Sequence, residues 1–262
     1  MQKVWIVSVL VALLVAGCSS PKEEASAHAV AAHETHKSEH NFTKAHWGYE
    51  GEYDAAHWSL VNPECGTGKA QSPIDLTPKQ TVPMAANHVV EFHESTHAEL
   101  SHEVDNGHAI KIDPIGDEGI ELLGVHYKLL QFHFHGRSEH TVEGKPYDME
   151  LHLVHQNAQG QLAVVGVLMR EGAHNNALED VLAHLEGGDL NVTVNDLLPA
   201  DKTHYYHYMG SLTTPPCSEN VAWYIFQEPI ELDAQQIGLF RTHHANNFRP
   251  VQPLHGRVLE AK

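Results

Sequence analysis

Gln131–Thr141 reads QFHFHGRSEHT, and the alternation at its start decides how this part of the chain folds. From Leu130 to His135 apolar and polar residues change places at every step, the period-two pattern of a strand rather than the wider spacing of a helix. On such a strand Gln131, His133 and His135 share one face while Leu130, Phe132 and Phe134 share the other. Met149–His155, MELHLVH, repeats the arrangement, with Glu150, His152 and Val154 on one face and Leu151 and Leu153 opposite. Glu143, Gly144, Lys145 and Pro146 lie between them, a turn signature that lets the two strands fold back on each other or lie as near neighbours.

The polar faces then bring together three imidazoles. Catalytic zinc sites keep three protein ligands and leave the fourth tetrahedral position to water, a set that His133, His135 and His152 supply. Gln131 precedes His133 by two residues and Glu150 precedes His152 by two, each placed to hydrogen-bond the outer nitrogen of a ligand and fix its tautomer. A cupin-type barrel also presents H-x-H followed by a Glu, as in His133, His135 and Glu139, but the second cupin motif is missing downstream.

Working outward, HVVEFH, HAIKID, IELLG, YKLLQFHFH, MELHLVH, LAVVGVLM and VAWYIF read as strands, most of them bounded by Gly, Pro, Asn or Asp. A helix is expected within HNNALEDVLAHLEGG, where Leu178, Val181, Leu182 and Leu185 recur at helical spacing before a Gly pair, and a weaker one near DAQQIGLFRT. No second linker interrupts the chain after His46. The expectation is one mainly β (α+β) domain over residues 46–262, a large, twisted, mostly antiparallel central sheet with small peripheral helices.

The N-terminus is of another kind. Met1–Ser20, MQKVWIVSVLVALLVAGCSS, couples Lys3 to a short apolar run ending at Ala16 and Gly17 before Cys18, the pattern of a secretory signal. VAGC is similar to the lipobox that is cut before a cysteine that then receives lipid. Residues 1–17 are therefore read as a lipoprotein signal peptide, and the mature chain as exported and anchored through Cys18 to a membrane, on the periplasmic or cell-surface side, with inner or outer membrane left open. Residues 18–45 lack apolar periodicity and read as a flexible tether, in which His28, His33, His36 and His40 offer zinc ligands without fixed geometry. Outside the cytoplasm thiols tend to pair, so Cys65 and Cys217 are expected to form a disulfide, two separate buried thiols being the alternative. Acidic residues outnumber basic ones by 34 to 16, and the formal charge of −18 argues against an electrostatic grip on nucleic acid.

In chain order HWGY, QSPIDL, DNGHAIKI, QFHFHGRSEHTV, ELHLVH, GSLTTPPC and NNFRPVQPL resemble the α-class carbonic anhydrases, over about residues 46–262. The resemblance implies a metal in a conical cleft, Zn2+ on His133, His135 and His152, and reversible hydration of carbon dioxide to bicarbonate and a proton by a zinc-bound hydroxide. It implies that the Thr213 hydroxyl accepts a hydrogen bond from that hydroxide and donates to an ionised Glu139. Val154, Val164, Leu212, Val221 and Trp223 become the apolar wall for carbon dioxide, and Thr214 helps to position bicarbonate. His108 becomes the proton shuttle, with Tyr49 and Asn106 ordering water, and Gln131, Glu150 and the backbone of Asn247 support the ligands. Cys65 and Cys217 coincide with the disulfide of exported bacterial members.

Two other readings stand beside the enzyme: a catalytically inactive relative serving as a binding module, and an extracytoplasmic zinc-buffering protein using its His-rich tether. Inactive relatives usually lose a zinc histidine, whereas here His133, His135, His152, Thr213 and Glu139 are all present. The oligomeric state, a homodimer included, is left open by the sequence.

Overall fold

The β-rich segments join one sheet around the strand that carries His133 and His135. In the computed structural model residues 46–93, 99–105 and 107–262 are described. The expected signal peptide, Cys18, the tether and Asn106 lie outside the described residues.

The principal sheet has thirteen strands: β1 (Val82–Pro83), β2 (Val90–His93), β3 (Glu99–Asp105), β4 (Ile110–Pro114), β5 (Gly119–Leu122), β6 (Val125–His135), β7 (Met149–Asn157), β8 (Leu162–Glu171), β9 (Gly188–Val192), β10 (Tyr205–Ser211), β11 (Glu219–Phe226), β12 (Ile230–Leu232) and β13 (Glu260–Ala261). Its order is β9-β3-β4-β6-β7-β8-β11-β10-β13-β1, with β12 on β8 and β2 and β5 extending beside β6. Most neighbours are antiparallel, and β8 runs parallel to β11 and β12, as β13 does to β1, so the sheet is mixed. A small second sheet sets Asp75–Leu76 parallel to Thr141–Val142, tying QSPIDL to the end of QFHFHGRSEHT.

The two faces of β6 separate as the alternation demands. Phe132, Phe134, Leu151 and Leu153 enter the main core, where Val181 of α1 (Glu179–Ala183) and Ile237 and Phe240 of α2 (Ala234–His244) also pack. On the other face Val154, Val164, Val221, Trp223 and Ile225 form a second apolar cluster. Trp58 gathers with Cys65 and Cys217 in a third.

Some elements differ from the sequence expectation. Within HNNALEDVLAHLEGG the α-helix is only five residues long, because the Gly187 and Gly188 backbones take positive φ of 107° and 149° to turn the chain into β9. DAQQIGLFRT, the weaker expectation, yields the longest helix among the described residues, eleven residues started by a capping box between Asp233 and Gln236. Strand β10, YYHYMGS, is buried on both faces and so lacks the alternation that marks a half-exposed strand.

Candidate metal centre and active site

Antiparallel pairing places His133 directly opposite His152 and Glu150 opposite His135. The donor nitrogens of His133, His135 and His152 lie within 4.8 Å of one another. Each ring has an acceptor on its outer side: Gln131 Oε1 lies 2.9 Å from His133 Nδ1, the Asn247 carbonyl oxygen 2.5 Å from His135 Nδ1, and Glu150 Oε1 2.9 Å from His152 Nε2. These acceptors assign the tautomers, because each needs a proton on the nitrogen that faces it. His133 Nε2, His135 Nε2 and His152 Nδ1 are left as bare lone pairs.

Two of those lone pairs, His135 Nε2 and His152 Nδ1, face each other at 3.1 Å. Bare nitrogens repel at that distance unless a cation lies between them, and two imidazoles on a tetrahedral zinc stand about 3.3 Å apart. The donor set therefore fits zinc. Burial, then the neighbouring imidazoles, holds the His133 pKa well below its ordinary value, which favours the neutral, ligating form. Burial also outweighs Glu139 and lowers the His135 pKa. For His152 burial works against the charge, but the Glu150 carboxylate and its hydrogen bond outweigh it and raise the basicity of the ring.

Glycine makes the close approach possible. A Cβ on Gly136 would meet the His244 carbonyl oxygen at 2.0 Å, so only glycine lets the segment after α2 come close enough to put the Asn247 oxygen on His135. The Asn247 side chain locks that approach by accepting from the Gly136 N–H at 2.7 Å and donating to the Phe134 carbonyl at 2.9 Å.

Glu150 is completely buried and fully used. Its Oε1 meets His140 Nδ1 at 2.7 Å as well as His152, and its Oε2 accepts the N–H groups of Glu139 and His140 at 2.8 and 2.9 Å. Burial pushes the Glu150 carboxyl up, but its electrostatic interactions and hydrogen bonds with the His140 and His152 rings outweigh it and keep it well below the usual carboxylate range. His140 spends its second nitrogen on the Tyr208 hydroxyl at 2.7 Å. His140, Glu150 and His152 also lie within ligating distance of one another, yet no lone pair is spare for an ion there.

Glu139 occupies the edge of the triad. Its Oε1 accepts the Arg249 N–H at 2.7 Å, and its buried Oε2 has no hydrogen-bond partner and lies 3.5 Å from His135 Nε2 and 3.8 Å from His152 Nδ1. Among the described residues no hydrogen bond joins Glu139 to the Thr213 hydroxyl. The free oxygen is turned toward those two nitrogens, where a cation held by their lone pairs would also attract it. Thr213 is buried on the loop between β10 and β11, beside half-buried Leu212 and Thr214, and Cys217 closes that loop by donating its N–H to Thr214 at 2.8 Å. Cys217 is disulfide-bonded to Cys65 across a separation of 152 residues.

A cavity of about 120 Å³ opens at His133 and His135, lined also by Tyr49, His108, Gln131 and Thr214. It adjoins an outer cavity of about 620 Å³, and Trp47, Tyr49 and His108 belong to both. The His108 ring is stacked on Trp47 at 3.8 Å, half-buried at the junction. Burial, then the Glu139 charge, pushes the Tyr49 phenol well above its ordinary pKa. Val154, Val164, Val221 and Trp223 sit together in the second apolar cluster with Leu212 packed on it, and the Trp223 ring stands 4.8 Å from that of His152.

The sequence profile of the eukaryotic-type carbonic anhydrases matches residues 53–262. The chain belongs to the carbonic anhydrase family. A carbonic anhydrase of Klebsiella pneumoniae is 41% identical over 231 residues, covering 82% of this chain and 90% of that protein. The α-carbonic anhydrase of Thermovibrio ammonificans, solved with the inhibitor sulfanilamide, is 40% identical with a TM-score of 0.75, covering 82% and 99% of the two chains. Dioscorin, solved with ascorbate, is 28% identical with a TM-score of 0.76, covering 83% and 98%. A protein bearing a different name thus shares the architecture, so a reading of function has to stand on the site.

Beside the carbonic anhydrase motifs, the structure singles out Arg249, which the sequence reading passed over. It is buried, donates to the carbonyls of Cys65 and Ser72 and to Gln71 Oε1 at 2.7, 2.8 and 2.9 Å, and reaches Glu139 through its own N–H. Its signal was an arginine between Phe248 and Pro250 in a motif otherwise poor in charge.

Proposed function

We propose that the chain catalyses the reversible hydration of carbon dioxide to bicarbonate and a proton, with Zn2+ held by His133 Nε2, His135 Nε2 and His152 Nδ1. The observation that carries this reading is the convergence of three nitrogens whose outer partners are already committed, so that only lone pairs face inward. Bound there, the ion supplies Lewis acidity that brings a water's pKa to about 7, a value for which carbonic anhydrase is itself the standard example. Family membership supports the same chemistry.

The chain's own residues do the rest. Gln131, Glu150 and the Asn247 carbonyl keep the ligand rings oriented. Glu139, ionised, accepts a hydrogen bond from the Thr213 hydroxyl once that hydroxyl turns toward it, and Thr213 accepts one from the attacking water and aims its lone pair. Val154, Val164, Leu212, Val221 and Trp223 offer carbon dioxide an apolar wall, suited to a solute without charge, and Thr214 positions bicarbonate. His108 carries the proton from the inner to the outer cavity, with Tyr49 and Asn106 ordering water on its way; an imidazole titrates near neutrality and suits that task.

The disulfide holds the Thr213 loop. Residues 46–262 form the catalytic domain, residues 1–17 direct export, and the tether from Cys18 to residue 45 joins that domain to a membrane through lipid, as the short apolar run and VAGC support. Stopped-flow carbon dioxide hydration with zinc-loaded and chelated protein tests the reading: the rate should vanish on chelation and in a folded His152→Ala variant. Zinc-loaded protein with no rate above buffer would refute it and favour the binding-module reading.

A further inference from the structure

We propose a second transition-metal site, formed by His88, His207 and Glu260 on the sheet face opposite the His133 triad, that takes a divalent cation such as zinc. His207 and Glu260 are direct cross-strand partners of β10 and β13, as His133 and His152 are of β6 and β7. Along β10 the side chains alternate: Tyr206 and Tyr208 enter the apolar cluster shared with Val154 and Trp223, whereas Tyr205 enters the main core, and His207 shares its side. His88 arrives from the 3-10 turn Ala86–His88 that precedes β2.

One ligating atom from each of these residues lies within 4.8 Å of the others. The buried His207 ring is stacked 4.5 Å from Tyr224, and its Nδ1 lies 2.9 Å from the Trp223 carbonyl oxygen. That carbonyl fixes the proton on Nδ1 and leaves Nε2 as a lone pair, the device found at His135. His207 Nε2 is 4.0 Å from Glu260 Oε2, too far for a hydrogen bond. Two ligands on a tetrahedral zinc, with bonds of about 2.1 Å, stand about 3.4 Å apart, so a shift of about 0.6 Å by the partly exposed Glu260 carboxylate brings both onto a single ion. His88 Nδ1 touches Glu260 Oε2, and the His88 ring lies 4.5 Å from that of His207.

Two imidazoles and a carboxylate are a known catalytic-zinc donor set. The His88 side chain is 35% exposed and that of Glu260 12%, which leaves an entry path and room for a water ligand. Without an ion the same atoms make a His88–Glu260 hydrogen bond, the alternative that the experiment must separate.

The full-length chain, stripped of metal, is dialysed against buffered free Zn2+ and the bound metal counted, for the intact protein and for the His88→Ala, Glu260→Gln and His207→Ala variants. Each variant should hold one zinc fewer per chain at a free-zinc level that fills the intact protein, or bind that zinc at least tenfold more weakly, with carbon dioxide hydration kept. His133→Ala should lose a different equivalent, together with activity, so a failure at either site is read separately. If His207→Ala fails to fold, the two more exposed positions carry the test. Unchanged stoichiometry and affinity in both His88→Ala and Glu260→Gln would leave only the hydrogen bond and overturn the proposal.

Discussion

Glu150 holds His152 Nε2 at 2.9 Å with one carboxylate oxygen while the other accepts two backbone N–H groups at the start of the Glu139–His140 turn. One buried group thus fixes the tautomer of a candidate metal ligand and the path of the loop that delivers Glu139. In Glu150→Gln an amide NH2 must face donors that now meet an acceptor, either at the turn or at His152. Partners of this kind are typically worth 10- to 100-fold in metal affinity, and a buried group left unsatisfied costs about 1–3 kcal/mol. Chelator competition should show weaker zinc binding by about that factor, and denaturation a matching loss of stability. Unchanged affinity would mean that His152 is oriented by something else.

The Cys65–Cys217 bond closes a 152-residue span and sits where the Thr213 loop ends. Loop entropy assigns such a closure about 5 kcal/mol, and measured losses for native disulfides run about 2–5 kcal/mol. Reduced protein, or a Cys65→Ser/Cys217→Ser pair, should unfold at lower denaturant by that amount. Because Cys65 and Cys217 also offer their carbonyls to Arg249 and Gln71, which reach Glu139 and the β11 end, hydration activity should fall as well while the chain is still folded. Full activity in folded, reduced protein would restrict the bond to stability.

Alternation along one strand was enough to place His133 and His135 opposite Phe132 and Phe134, because one face meets the core and the other a cleft. The same logic failed for Tyr205–Ser211, where both faces are buried and no period survives, so the strand carrying His207 was invisible. Gln131 and Glu150 were legible as supports because they sit two residues from the rings they hold. Arg249 was not, since its partners Cys65, Gln71 and Glu139 lie 184, 178 and 110 residues away in sequence. The direction of the free Glu139 oxygen also escapes sequence reasoning, as it depends on a rotamer between two imidazoles and a hydroxyl.

His155 is buried on the core side of β7, its Nδ1 without a hydrogen-bond partner, and burial lowers its pKa from 6.5 to about 4 against two opposing backbone hydrogen bonds. The folded state therefore keeps this ring neutral after the unfolded chain has begun to take up a proton. Its contribution to stability is full above pH 6.5 and is lost as pH falls toward 4. A shift of that size corresponds to about 3 kcal/mol. Urea midpoints of His155→Leu across this window should decline less steeply than those of the intact chain, by up to that amount; parallel curves would show that His155 is not the group responsible.

His108 is half-buried where the inner and outer cavities meet, its ring stacked at 3.8 Å on Trp47 and within 5.2 Å of His46. A shuttle there acts after carbon dioxide has reacted, so its loss should appear in kcat and not in kcat/KM. Positioned proton transfer typically contributes 10²- to 10⁴-fold. His108→Ala in dilute buffer should lose about tenfold or more in kcat, with zinc content and kcat/KM held, and a concentrated buffer that titrates near neutrality should restore much of the rate by carrying the proton itself. An unchanged kcat in dilute buffer would assign the exit of the proton to another group.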